Sequence, residues 1–135
     1  MMYLLDTNIL IYIQKNNPPT VREKINNLPN SAQLVMSFVT YAELLKGAYG
    51  SQNSEKARAN LNALTRIISV LPSHEAMPEH YANWANQLKK QGKPIGNNDL
   101  WIAAHALAVG AVLVTHNTKE FSRINNLQLE DWVEE

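Results

Sequence analysis

Tyr3-Leu4-Leu5-Asp6-Thr7-Asn8 is the stretch whose reading decides the fold. An apolar run stops abruptly on a carboxylate, a hydroxyl and an amide, then resumes from Ile9 to Ile13. This pattern reads as a short buried strand, Met2 to Leu5, followed by a helix that Thr7 or Asn8 caps and that runs through Lys15. In an α/β protein, a strand that ends on an acid delivers the carboxylate to the C-terminal edge of the sheet. Ligands bind at that edge in such folds. The residues that come to meet Asp6 there therefore decide the chemistry.

Working outward, Asn16-Asn17-Pro18-Pro19 stops the first helix, and Pro19 suits the first position of the next. Val21, Ile25 and Leu28 recur at helical spacing, so a helix is predicted over Thr20 to Leu28. After a turn at Pro29-Asn30-Ser31, Leu34 to Ser37 reads as a second strand. A helix follows from Thr40 to Ala48, with Gly50 as its stop. Ser54 caps a predicted helix from Glu55 to Ile67, and Ile67 to Leu71 is weakly strand-like. Pro78 to Gln91 is helical and carries Tyr81, Trp84, Ala85 and Leu88 on one side. A basic loop follows, and Asn98 caps a helix from Asp99 to Val109 that Gly110 ends. Ala111 to Thr115 is the clearest strand. His116-Asn117-Thr118 turns into a short helix from Lys119 to Arg123. A last strand falls at Leu127 to Leu129, ahead of an acidic tail. Short apolar strands alternating with helices imply an α/β fold, a short parallel sheet with helices on both faces. No Pro-, Gly- or Ser-rich linker divides residues 1–135, so a single domain is expected.

Composition narrows the function. Twelve basic residues balance twelve acidic ones, which argues against a chain coated in positive charge for bulk nucleic-acid binding. There is no cysteine, which excludes disulfides, thiolate zinc sites and thiol catalysis. It also fits a reducing, cytoplasmic setting. No apolar run approaches the roughly 20 residues needed to span a bilayer, and the N-terminus lacks the pattern of a signal peptide.

The acids are distributed to converge. Asp6 follows the first strand, Glu43 lies early in the helix after the second, and Asp99 opens the helix leading into the clearest strand. Thr115-His116-Asn117 follows that strand, with Glu120 one turn further on. A parallel fold gathers strand ends and helix starts on one edge. Like charges brought together repel unless a cation neutralises them. A hard divalent ion, Mg²⁺ or Mn²⁺, held by oxygen ligands and water, answers that need. Such an ion lowers the pKa of bound water and offsets phosphoryl charge, as phosphodiester hydrolysis requires. Each acid also has a plainer reading. A lone acid at a helix start is commonly a cap or dipole partner, and Glu43 has Lys46 at ion-pair spacing. The plain reading is weakest for Asp6, wedged between two apolar runs.

Four blocks carry a resemblance over nearly the whole chain. They are Leu4-Leu5-Asp6-Thr7-Asn8, Ser37 to Gly47, Pro94 to Ala106, and Leu113 to Phe121. The sequence resembles the PIN-domain toxins of the VapC type, the ribonuclease half of VapBC toxin–antitoxin pairs. The resemblance implies a PIN-like fold and a Mg²⁺- or Mn²⁺-dependent endoribonuclease. It matches Asp6, Glu43 and Asp99 to the family's acids. Asn117 stands where the family often has a fourth acid, so either Asn117 serves there or Glu120 supplies the carboxylate. Asp6 and Asp99 would be direct metal ligands, with Glu43 completing the site or orienting water. Thr7, Asn8, Thr115 and Asn117 would hold these groups or contact the scissile phosphate.

The resemblance further implies a homodimer and inhibition by a VapB-type antitoxin in a higher hetero-oligomer. Exposed apolar residues between Ile9 and Leu45 would form the antitoxin groove. In some relatives the RNA is initiator tRNA, cut in the anticodon loop.

Lys46, Lys89, Lys90, Lys93 and Lys119, with Arg123, are candidate phosphate contacts, although each alone reads equally as a solvated cation. Trp101 is placed to stack on a base or simply to pack. His116 reads as a surface loop residue, while His74, His80 and His105 have no evident partners. Three rival functions remain: a PIN-like nuclease acting on DNA, a haloacid-dehalogenase-like phosphoryl transferase, and a catalytically weak RNA-binding module. The second fits poorly, because the positions that would need an acid and a threonine hold Asn8 and Leu10. Only Asn117 favours the third.

Overall fold

The computed structural model describes residues 1–133; Glu134 and Glu135 of the acidic tail lie outside the described residues. Five strands, β1 (Met2–Leu5), β2 (Gln33–Ser37), β3 (Ser69–Leu71), β4 (Val112–Val114) and β5 (Leu129–Glu130), form one sheet in the order β3-β2-β1-β4-β5. All four pairings are parallel. From central β1 the chain builds outward on one side through β2 and β3, then returns to the other side for β4 and β5. The strand order therefore reverses between β1 and β4. A crevice opens at the C-terminal ends of strands at such a switch point.

Seven helices complete the described fold: α1 (Thr7–Lys15), α2 (Thr20–Asn26), α3 (Phe38–Tyr49), α4 (Ser54–Thr65), α5 (Met77–Lys90), α6 (Asn97–Val109) and α7 (Thr118–Phe121). Side chains alternate across a strand, and each central strand feeds two cores. Leu4, Val35 and Leu113 join Trp84, Leu88, Ile102 and Phe121 on the α5–α7 face. Tyr3, Leu5, Met36, Val112 and Val114 join Ile9, Leu10, Val21 and Leu61 on the opposite face. The sheet is thus covered on both sides, which explains why β4 is apolar at every position.

Several element ends differ from the sequence reading for local physical reasons. The α1 cap is Asp6 itself, whose carboxylate accepts from the Ile9 N–H at 3.0 Å. Neither Thr7 nor Asn8 caps; both are already helical or on its surface. Asn53, one residue before the expected Ser54, caps α4 through the Lys56 N–H. α6 starts at Asn97 behind Gly96 and uses no side-chain cap, so Asn98 does not serve as one. α3 begins at Phe38, two residues earlier than expected, because Ser37 accepts from the Val39 N–H. Leu127 lies in a turn closed by its N–H to Ile124 O, which moves the last strand to Leu129–Glu130. Gly110 ends α6 as expected, at φ +68°, a conformation that glycine adopts without strain.

Candidate active site

The register of the sheet sets the site. Leu4 lies opposite both Val35 and Leu113. Two residues further along each strand stand Asp6, Ser37 and Thr115, so these three form a row across the C-terminal ends of β1, β2 and β4. Two residues on is one full pleat, so all three share the face of Leu4, the α5–α7 side. All three are polar and buried. The Asp6 N–H extends the ladder to Val114 O at 3.1 Å, which locks the row to the sheet.

Asp6 is only 7% exposed. Burial raises its proton affinity above the ordinary carboxylate value, and the charge of Glu43 adds to that. The Thr115 hydroxyl and the N–H groups of Ile9 and Asn8 act in the opposite direction, yet burial prevails. Glu43, in the second turn of α3, takes a hydrogen bond from the Thr7 hydroxyl at 2.8 Å. That contact joins the starts of α1 and α3. Glu43 is not paired with Lys46; among the described residues the one contact between an acid and a basic side chain at salt-bridge distance is His116 Nδ1 with Asp131 Oδ2, at 3.0 Å.

Asp99 lies in the first turn of α6. Its pKa is pushed up to about 6, first by burial and then by the charges of Glu120, Glu43 and Asp6. Among the described residues its carboxylate accepts no hydrogen bond. Four acids therefore share one field, and Glu120 acts on Asp99 more strongly than Glu43 or Asp6 does. Asn117 donates its side-chain amide to Glu120 Oε2 at 2.6 Å and its N–H to Thr115 Oγ1 at 3.0 Å. The structure thus gathers Asp6, Thr7, Glu43, Asp99, Thr115, Asn117 and Glu120 at one edge. Asn8 joins them through its N–H, although its side chain is exposed.

This donor set fits a divalent cation. Its oxygens are hard, their charges are mutually unfavourable, and among the described residues no lysine or arginine neutralises them. No three of the described His, Cys, Asp and Glu residues already stand together at metal-ligand spacing.

The remaining candidates are placed as follows. Lys46, Lys89, Lys90, Lys93 and Lys119 are exposed. Arg123 is partly engaged: its guanidinium donates to Pro94 O at 3.2 Å and ties α7 to the loop before α6. Trp101 packs: its ring stacks on Tyr81 with centroids 3.9 Å apart. His105 does have a partner, the Ser37 hydroxyl, 2.8 Å from Nδ1. The histidine is fully buried, and burial lowers its pKa. Sequence reasoning missed this pair. Ser37 carried a readable signal, since like Asp6 it is a capping residue directly after an apolar strand. His105, 68 positions away, carried none.

A cleft of about 970 Å³ opens from Thr7 and Glu43 between α1, α3 and α4, lined by Ile11, Leu44, Leu61, Leu64 and Ile67. Within the stretch from Ile9 to Leu45, Ile11, Ile13 and Leu44 line the cleft, whereas Ile9 and Leu10 are fully buried core. The α4 side of the cleft was not anticipated.

Comparisons with known proteins agree with this geometry. The sequence profile of the PIN domain matches residues 3–127, and the chain belongs to the PIN-domain family of VapC-type nucleases. Ribonuclease VapC1 of Haemophilus influenzae strain R2866 is 57% identical over 132 residues, covering 98% of each chain. The tRNA(fMet)-specific endonuclease VapC of Shigella flexneri is 39% identical over 132 residues, with 98% of each covered. The solved structure of VapBC-1 from nontypeable Haemophilus influenzae matches with a TM-score of 0.94 at 56% identity, over 99% of this chain and 100% of that one. Nucleases of this type are generally dependent on a divalent metal. Among the described residues, no helix is long and apolar enough to cross a membrane.

Proposed function

We propose that residues 1–135 form one PIN domain that acts as the toxin of a type II toxin–antitoxin pair, a Mg²⁺- or Mn²⁺-dependent endoribonuclease working in the cytoplasm. The observation that carries this reading is the row of Asp6 and Thr115 at the β1/β4 switch point, facing Asp99, Glu43 and Glu120 with no lysine or arginine paired to them among the described residues. Asp6 and Asp99 would hold the ion, and Glu43 would complete the site or orient water. The ion, when bound, acidifies a water it holds and offsets charge on the phosphate.

The chain's own groups do the rest. The Thr7 hydroxyl fixes the Glu43 carboxylate, and the Thr115 hydroxyl faces Asp6. Water attacks the phosphodiester in line with the departing oxygen, leaving a 5′-phosphate and a 3′-hydroxyl. Lys46, Lys89, Lys90, Lys93 and Lys119 supply phosphate contacts that fix register rather than sequence.

The substrate is tRNA, and the name of the Shigella relative directs attention to initiator tRNA. The partner is a VapB-type antitoxin, supported by the VapBC-1 likeness, and the working form is a homodimer that enters a larger hetero-oligomer. The apolar cleft ending at Thr7 and Glu43 suits an antitoxin segment that covers the acids.

Sequencing of RNA 5′-ends in cells after brief expression of the wild type and of Asp99→Ala tests the activity and names the target. New ends at one site with the wild type only are expected. Identical end profiles would refute the reading, and cutting of flap DNA in preference to RNA would favour the DNA nuclease.

A further inference from the structure

Asn117 occupies the seat where the family resemblance led one to expect an acid, and its geometry gives it a different task. Its backbone is held by Thr115, whose Oγ1 accepts the Asn117 N–H at 3.0 Å. Thr115 itself belongs to the buried row and faces Asp6. The side-chain amide then presents its NH₂ to Glu120 Oε2 at 2.6 Å. An NH₂ group has donors only and cannot bind a cation, so the part of Asn117 facing the acid is the part that does not ligate. A hydrogen bond to a charged acceptor is strong and directional. It restricts a glutamate side chain that is otherwise free to rotate into solvent, and it removes rotamer entropy before any ligand arrives.

We propose that Asn117 is a positioning residue: its amide holds the Glu120 carboxylate at the metal edge, so Glu120 supplies the fourth negative charge and Asn117 is not itself a ligand. This rests on the reading of the edge as a metal-dependent nuclease site. The chain of contacts runs from Asp6 to Thr115, on to Asn117, and ends at Glu120. It ties a half-exposed acid on α7 to the buried acid on β1. An aspartate at 117 would place a second carboxylate against Glu120 and would remove the donor. The amide orients one acid without adding another charge to a cluster that already strains Asp99.

Calorimetric titration of the full-length chain with Mn²⁺ tests this in a double-mutant cycle. The proteins are the wild type, Asn117→Ala, Glu120→Gln and the double variant. Each single substitution is expected to weaken Mn²⁺ binding by about tenfold, the usual range for groups that orient metal ligands. The double variant is expected to bind no more weakly than Glu120→Gln, because the amide has nothing left to orient. Asn117 is exposed, so its removal should leave the thermal transition unchanged. Losses that multiply in the double variant would make Asn117 an independent ligand and overturn the proposal. Unchanged affinity in Asn117→Ala would overturn it too, reducing the hydrogen bond to a surface contact. The underlying reading fails separately: Asp99→Asn would then bind Mn²⁺ as the wild type does, whatever residue 117 is.

Discussion

Asp6 and Asp99 are the same residue type on the same edge, and burial raises the pKa of both, yet their carboxylates are engaged differently. Asp6 follows a strand and caps a helix, its carboxylate accepting from the Ile9 N–H, with the Thr115 hydroxyl and the Asn8 N–H also favouring its charged form. Asp99 sits in the first turn of α6 with no donor on its carboxylate among the described residues, and burial, followed by the charges of three acids, raises its pKa to about 6. Asp6 therefore serves the fold as well as the chemistry. Asp99, with its raised pKa, burdens the fold at neutral pH. The difference teaches which substitutions separate folding from function: a change at Asp6 strikes both, and a change at Asp99 strikes only one.

The largest effect is expected from Asp6→Ala. It removes a proposed metal ligand, the α1 cap and the acceptor of the buried Ile9 N–H. RNA cleavage should fall by at least about a hundredfold, and stability by about 1 kcal/mol for the cap alone. Asp6→Asn keeps an oxygen acceptor for the Ile9 N–H, so it should lose cleavage while retaining most of that stability. Gel assays on labelled RNA and chemical denaturation of the same samples check both. If Asp6→Ala proved as stable as Asp6→Asn, the cap would carry no weight.

Asp99→Asn should abolish cleavage to a similar extent, yet stabilise the metal-free protein at neutral pH. The raised pKa means that the folded chain holds more protons than the unfolded chain between about pH 4 and about pH 6. Stability from this group therefore falls as pH rises through that window, and the loss is complete above it. The relief in Asp99→Asn is on the order of 1 kcal/mol after allowance for screening of a partly exposed group. Denaturation in chelator at pH 7 should show the variant above the wild type, and the gap should close toward pH 4. The same titration governs the ion. Mn²⁺ affinity of the wild type should drop as pH falls through about 6, because protons then compete for Asp99.

Much of this contrast was legible in the sequence. Strand ends and helix starts announce themselves by apolar runs that break on polar residues, and Asp6, Glu43 and Asp99 each follow or open such a run. What stayed hidden was the second use of each group. The acid at position 6 looked as if it had no local reason to be there, whereas it is the α1 cap. Position 105 looked partnerless, because its partner Ser37 meets it only once β2 and α6 are packed together. Arg123 reads equally well as a phosphate contact or as a clamp on Pro94 until the loop before α6 has a path. Sequence spacing shows which groups can reach an edge. The register of the sheet decides which of them face one another, and the hydrogen bonds decide which are already engaged.

The smallest effect tests whether the donors around Asp6 are what sets it apart from Asp99. Thr115→Val is nearly isosteric, so the buried position stays filled, but the hydroxyl is lost. The Asp6 carboxylate then loses one of the contacts that oppose protonation, and the Asn117 N–H loses its acceptor. Asp6 should shift toward the condition of Asp99. The acidic limb of the cleavage profile should move to higher pH, with a loss of rate that grows as pH falls. At pH 8 the rate should recover toward that of the wild type if charge on Asp6 is what the hydroxyl protects. A deficit that is constant across pH would instead place the role of Thr115 in holding Asn117, and the two acids would then owe their difference to burial and capping alone.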